Sequence, residues 1–271
     1  MSTVNTGFIS KEEADRLQQE ARTVYIHSKL GFLNAHNGLR PGCIHTLMGM
    51  SHAGKSTMVR TLVRDFAFNP ENSKKKLKMH IRLSEESVEE FRRELSYGVP
   101  ESERMLDITI SSEMEDGLNQ AGLHELIASV QPDVLIYDNI TTSRYYSSKR
   151  PGEQAQWCAW MKKISKDLKT ATILVAHTGT EITESLSRLI NMNDLRGAKD
   201  LVNLSEFFYV FQRFEMKDSY YPILWVSKHR GQELINKYYY LDYAPAVRSF
   251  VRDQAITFDQ VKSNYAKRNR L

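Results

Sequence analysis

An α/β domain is the fold class this sequence predicts: a mostly parallel twisted sheet flanked by helices, with antiparallel strands at the C-terminal edge. Three observations predict it. The apolar run Ile44-His45-Thr46-Leu47-Met48 enters a loop, Gly49-Met50-Ser51-His52-Ala53-Gly54-Lys55-Ser56-Thr57, and Thr57-Met58-Val59-Arg60-Thr61-Leu62-Val63 leaves it with helical character. Val134-Leu135-Ile136-Tyr137-Asp138 and Thr172-Ile173-Leu174-Val175-Ala176-His177-Thr178 are near-continuous apolar runs, as expected of strands buried on both faces of a parallel sheet. Phe207-Phe208-Tyr209-Val210-Phe211, Tyr221-Pro222-Ile223-Leu224-Trp225-Val226 and Lys237-Tyr238-Tyr239-Tyr240-Leu241 are rich in aromatic and β-branched residues and form its far, partly antiparallel side.

Taken in order, residues 1–9 read as disordered, and Ser10-Lys11-Glu12-Glu13 is a capping box that opens a helix to about Tyr25. Ala14, Leu17, Ala21 and Val24 give that helix one narrow apolar stripe, which packs either on its own domain or, as a linker, on a neighbouring subunit. The domain division is therefore 1–28 arm and linker helix, 29–250 α/β domain, and 251–271 basic tail with Lys267-Arg268-Asn269-Arg270. Glycines punctuate 31–42, the entry to the first strand. Leu77-Lys78-Met79-His80-Ile81-Arg82-Leu83 alternates in the strand manner, and Ser84 or Ser87 can cap a helix from Val88 to about Tyr97. Within the polar stretch 98–122, Leu106-Asp107-Ile108-Thr109-Ile110 is a short strand; helical spacing resumes at Leu123, Leu126, Ile127 and Val130. Residues 141–152 form a loop at the carboxyl edge of the sheet, a helix follows over 153–168, and 179–196 is a long polar loop of the kind that is functional or disordered.

Composition sets limits. A chain of 271 residues can bury a full core, in one large domain with small attachments. Its two cysteines, Cys43 and Cys158, lack metal-ligand spacing and imply a reducing compartment. No apolar run approaches the roughly 18 residues of a membrane span, and the N-terminus lacks signal-peptide character, so the expectation is a cytoplasmic protein without a membrane partner. A net charge of +4 permits a polyanionic partner without demanding one; Lys74-Lys75-Lys76-Leu77-Lys78 is the densest basic run.

The chemistry lies at strand ends. Gly49 through Thr57 fits G-x-x-x-x-G-K-[ST], in which backbone N–H groups of Gly49, Ser51, His52, Ala53, Gly54 and Thr57 cradle nucleotide phosphates. Lys55 reaches the β/γ oxygens and the Ser56 hydroxyl holds Mg²⁺. Asp138, closing an apolar strand downstream, is the second Mg²⁺-side group. Glu85, at the end of a strand taken to lie beside the phosphate-loop strand, is the candidate base for an attacking water; alternatively Glu85 and Glu86 only favour a helix N-terminus. His177 either senses a γ-phosphate or is a satisfied strand-end histidine. Ser227-Lys228-His229-Arg230-Gly231 is either an ordinary turn or a cationic tip that reaches a phosphate, in this site or a partner's.

The order of these parts, from Gly31-Phe32 and Gly38-Leu39-Arg40-Pro41-Gly42 through Leu195-Arg196-Gly197-Ala198 to Lys228-His229-Arg230-Gly231, resembles the RecA-like ATPases. Over roughly residues 29–243 it looks most like the DnaB-type and plasmid RepA-type hexameric helicases. The resemblance implies ATP and Mg²⁺ bound between neighbouring subunits of a ring or filament, single-stranded DNA in a central channel, and replication or recombination proteins as partners. By position it assigns Lys55, Glu85 and His177 to catalysis, with Lys228 and Arg230 inserted into the adjacent subunit's site. Arg144, Lys149 and Arg150 in the first loop, and Arg188 and Arg196 in the second, are the nucleic-acid candidates, while Glu206 stands where an aspartate is usual. Two other readings stay open: a KaiC-like nucleotide switch that ignores DNA, and a loader that assembles on DNA without translocating.

Overall fold

A computed structural model describes residues 10–13, 25–35, 37–97, 99, 108–179, 189–197, 199–216, 219–230 and 236–268. Its centre is one sheet of nine strands: β1 (Ile44–Gly49), β2 (Met79–Leu83), β3 (Ile108–Ser112), β4 (Val134–Asp138), β5 (Ala171–His177), β6 (Phe207–Met216), β7 (Ser219–His229), β8 (Lys237–Ala244) and β9 (Ser249–Ile256). Their spatial order is β3-β2-β4-β5-β1-β6-β7-β8-β9. The pairs from β3 to β6 are parallel and those from β6 to β9 antiparallel.

Strand alternation divides the core into two layers. Leu47, Ile81 and Ile136 face one way, onto Met58, Leu62 and Phe66 of the helix Lys55–Phe68 and Phe91 of the helix Val88–Leu95. Ile44, Met48, Leu135 and Leu174 face the other way, onto Ile127 of the helix Gln120–Val130 and Trp157 and Met161 of the helix Pro151–Asp167. Every residue of β1 and β4 is buried, as their apolar runs required, and β2, whose sequence alternates, is buried on both faces as well, with His80 and Arg82 enclosed. Among the described residues no helix is long and apolar enough to cross a membrane.

Three elements differ from the expectation. First, β2 is not beside β1: β5 and β4 lie between them, so Glu85 reaches the phosphate loop across two strands. Second, the strand expected over 106–110 continues to Ser112, as β3 (Ile108–Ser112), while 106 and 107 lie outside the described residues; its partly exposed edge position weakens the apolar signal that marks a strand. Third, 251–268 is not a tail. It holds most of β9 and the helix Phe258–Arg268, and the Asp253 carboxylate accepts from the N–H groups of Gly31 and Phe32 at 2.5 and 2.7 Å. β9 is a solvated edge strand whose Arg252 and Asp253 interrupt any apolar pattern, which hides it in the sequence. At the other end, the Ser10 hydroxyl accepts from Glu13 N–H at 3.1 Å, as the capping box requires, while 1–9 and the stripe over 14–24 lie outside the described residues.

Candidate active site at the carboxyl edge of the sheet

Parallel strands deliver their carboxyl ends to one edge, and β1, β2, β4 and β5 bring Gly49, Glu85, Asp138 and His177 there together. The turn out of β1 needs its glycines. A Cβ on Gly49 would lie 2.6 Å from the Phe211 carbonyl oxygen on β6. Gly54 takes φ of 104°, a left-handed conformation, immediately before the helix Lys55–Phe68. The loop Ser51-His52-Ala53 therefore ends on the unpaired N–H groups of a helix N-terminus, which suit an anion.

Lys55 is buried, donates to the Met50 carbonyl at 2.6 Å, and lies 3.3 Å from His177 Nδ1. Burial lowers its pKa to about 8, against the opposing pull of Asp138 and Glu85. Asp138 is buried; burial pushes its carboxyl up, and the neighbouring Ser56 hydroxyl and Lys55 oppose that. Asp138 Oδ2 is buried with no hydrogen-bond partner. A carboxylate oxygen buried without a partner beside a serine hydroxyl fits a hydrated divalent cation shared with phosphates.

Glu85 carries the lowered carboxyl of the pair. The neighbouring His177, with Asn139 and Thr142, holds it at about 2 against the effect of burial. His177 Nε2 lies 3.7 Å from Glu85 Oε1 and 2.7 Å from Asn139 Nδ2, and its Nδ1 is 3.0 Å from the Ser51 hydroxyl. Asn139 Oδ1 accepts from the Thr141 hydroxyl, Thr142 N–H and the Thr142 hydroxyl at 2.9, 3.0 and 2.9 Å, and the Thr141 hydroxyl in turn accepts from His177 N–H at 3.0 Å. Sequence reasoning missed this hub. The signal was present, as three polar residues directly after a buried strand: Asn139, Thr141 and Thr142. Glu86 points elsewhere and pairs with Arg60 of the phosphate-loop helix at 2.6 Å. Among the described residues no cluster of three or more His, Cys, Asp or Glu side chains could hold a metal by itself.

Lys228 and Arg230 are not in this site. β7 runs antiparallel to β6, so its end pairs at Phe207 and Phe208, level with the start of β1. There Lys228 Nζ donates to the Val202 and Asn203 carbonyls at 2.5 and 3.2 Å, and Arg230 Nη2 to Asn203 at 3.1 Å. Arg230 is exposed and lies 3.9 Å from Glu206 Oε1. Glu206 is buried, accepts from Ile44 N–H at 2.9 Å and is paired with Lys162.

The loops after β4 and β5 share the carboxyl edge with the phosphate loop. Arg144 is tied to Glu113, while Lys149, Arg150 and Arg196 are exposed. Arg196 N–H donates to the His177 carbonyl at 3.0 Å, which pins the second loop to the end of β5; Arg188 lies outside the described residues. A cavity of about 410 Å³ opens beside Gly54 and Thr57, walled by Arg213, Tyr220, Tyr243 and Phe250. The Arg213 guanidinium sits 4.2 Å from the centre of the Tyr220 ring. The larger cavity, about 900 Å³ between the helix Val88–Leu95 and β3, has none of these groups in its wall.

No protein-family model and no curated protein matches the chain. Among solved structures it is similar to the KaiC-like protein PH0186 of the hyperthermophilic archaeon Pyrococcus horikoshii OT3, with a TM-score of 0.59 and 17% identity. The similarity covers 82% of this chain and 96% of that one. At that identity it speaks for the fold, and the fold is the RecA-like one that the order of motifs implied.

Proposed function

We propose that the protein is an ATPase that hydrolyses ATP between copies of itself, in a ring or filament, and moves on or remodels single-stranded DNA. The observation that carries the ATPase reading is the convergence of Lys55, Ser56, Asp138, Glu85 and His177 on one point of one sheet edge. In that reading the N–H groups of 51–57 and Lys55 would hold the phosphates, and Ser56 and Asp138 would hold a Mg²⁺ that supplies charge neutralisation at the γ-phosphate. Glu85, ionised and oriented by His177 and Asn139, accepts the proton of the attacking water. The cavity beside Gly54 takes the base and sugar, with Arg213 and the tyrosines as stacking surfaces.

Two observations support a site shared between copies. Lys228 and Arg230 lie at the amino edge of the sheet, so they cannot serve their own subunit's phosphates. Both also occupy a helix end, against the carbonyls of 202 and 203, where a second copy could meet them. Exposed cations on the loops after β4 and β5 support a nucleic-acid strand along the carboxyl edge, through phosphate contacts. The test is ATP turnover with and without single-stranded DNA. Stimulation is expected; no stimulation by any nucleic acid sinks the motor reading while leaving the ATPase. The second reading, a nucleotide-state switch acting on a protein partner, is favoured by the similarity to a KaiC-like protein and predicts slow turnover indifferent to DNA.

A further inference from the structure

The topology gathers charge at the amino edge of the sheet, far from the phosphate loop. Two lysine-rich segments distant in sequence meet there: Lys74, Lys75, Lys76 and Lys78 enter β2, and Lys166 and Lys169 enter β5. Only β4 stands between those strands, so the two groups are about two strand spacings, ~10 Å, apart. All six lysines are exposed. Among the described residues the nearby carboxylates are Glu71, paired with Lys74, and Asp133, which accepts from Lys78 N–H; Lys163 and Asp167 pair with each other. Among the described residues Lys76, Lys78, Lys166 and Lys169 form no ion pair, so the face keeps a positive surplus.

The backbone supplies an independent observation. Lys76 has φ of 46° and Lys169 φ of 53°, left-handed conformations that glycine or asparagine adopts at less cost. Each occupies the turn immediately before its strand. Lys169 follows the helix Pro151–Asp167, where glycine is the common occupant, and Lys166 already supplies a cation to that helix end. Lysine thus occupies two left-handed positions that converge on one face, where asparagine or glycine would cost less.

We propose that this amino edge binds the backbone of duplex nucleic acid, independently of the ATPase reading and on the side opposite the loops after β4 and β5. Lysine heads are point charges suited to phosphates. No aromatic residue occurs in 71–78, 131–133 or 163–169, so the face lacks the stacking platforms that single strands use. Over ~10 Å a duplex presents about six phosphate charges, at one per ~1.7 Å of axis.

The test measures anisotropy of a short labelled duplex across a salt series, without nucleotide. Changing Lys74, Lys76 and Lys78 together to glutamate is expected to weaken duplex binding about tenfold or more and flatten the log–log salt slope by about 0.9 for each phosphate no longer neutralised. Lys76→Asn and Lys169→Asn give the sharper result: a higher Tm, because the strain is relieved, together with weaker duplex binding. ATP turnover stays at the wild-type value in all of them. Unchanged duplex affinity and slope overturn the proposal, as does an equal loss of single-strand affinity. Displacement of the duplex by polyglutamate at equal charge assigns the face to an acidic protein and overturns it too.

Discussion

His177 touches the groups assigned to the proposed hydrolysis: Lys55 and Ser51 through Nδ1, Asn139 and Glu85 through Nε2. Its neighbours give the sharpest expectations. Glu85→Gln removes the base and leaves the phosphate contacts, so turnover should fall about 10²- to 10⁴-fold with ATP affinity nearly unchanged; calorimetry beside a phosphate-release assay separates the two. Lys55 gives a pH dependence. Burial lowers its amine to about 8, so below that pH it is already charged for phosphate. Above it, binding must also take up a proton, and ATP affinity should fall, approaching about tenfold per pH unit. Equal affinity at pH 7 and pH 9 would contradict this.

Among the elements, the short helix Val88–Leu95 follows Glu85 and Glu86 directly, and the Ser87 hydroxyl caps it by accepting from Glu90 N–H at 3.1 Å. Ser87→Ala should cost about 1 kcal/mol, read as a Tm lower by about 2–4 °C in a melt. A larger cost belongs to β2. Arg82 is fully buried between β3 and β4 and is paired with Asp116 and Ser111. Asp116→Ala leaves that guanidinium uncompensated, at about 3–5 kcal/mol, whereas the double change with Arg82→Met should recover much of the loss. A denaturant titration of the three variants decides it.

At the scale of the whole molecule, the antiparallel turn from β6 into β7 places the phosphate loop and the Lys228–Arg230 cations on opposite edges of one sheet. Hydrolysis that uses both then needs two copies. Lys55→Ala and Arg230→Ala should each be inactive alone and regain turnover when mixed, because a mixed interface offers one intact loop and one intact arginine. Absence of recovery, or loss of ATP binding in Arg230→Ala, would place Arg230 in a different role. Turnover per chain should also fall on dilution.

Much of this was legible in the sequence, for local reasons. Gly49 and Gly54 answer backbone requirements within a few residues, and the apolar runs of β1, β4 and β5 report burial on both faces, so the phosphate loop, Asp138 and His177 each announce themselves. Ser87 as a cap is local in the same way. The rest depends on which strands become neighbours. That β4 and β5 separate β2 from β1, that Asn139 meets His177, that β9 closes over Thr61, and that two lysine segments share one edge are contacts between residues tens to nearly two hundred positions apart. Periodicity records whether a side chain is buried but not what it is buried against. The sequence by itself determined the α/β class and marked the glycine loop and acids of the candidate site; strand order, decided only by tertiary packing, brought them to one edge and set the Lys228 and Arg230 cations on the far side.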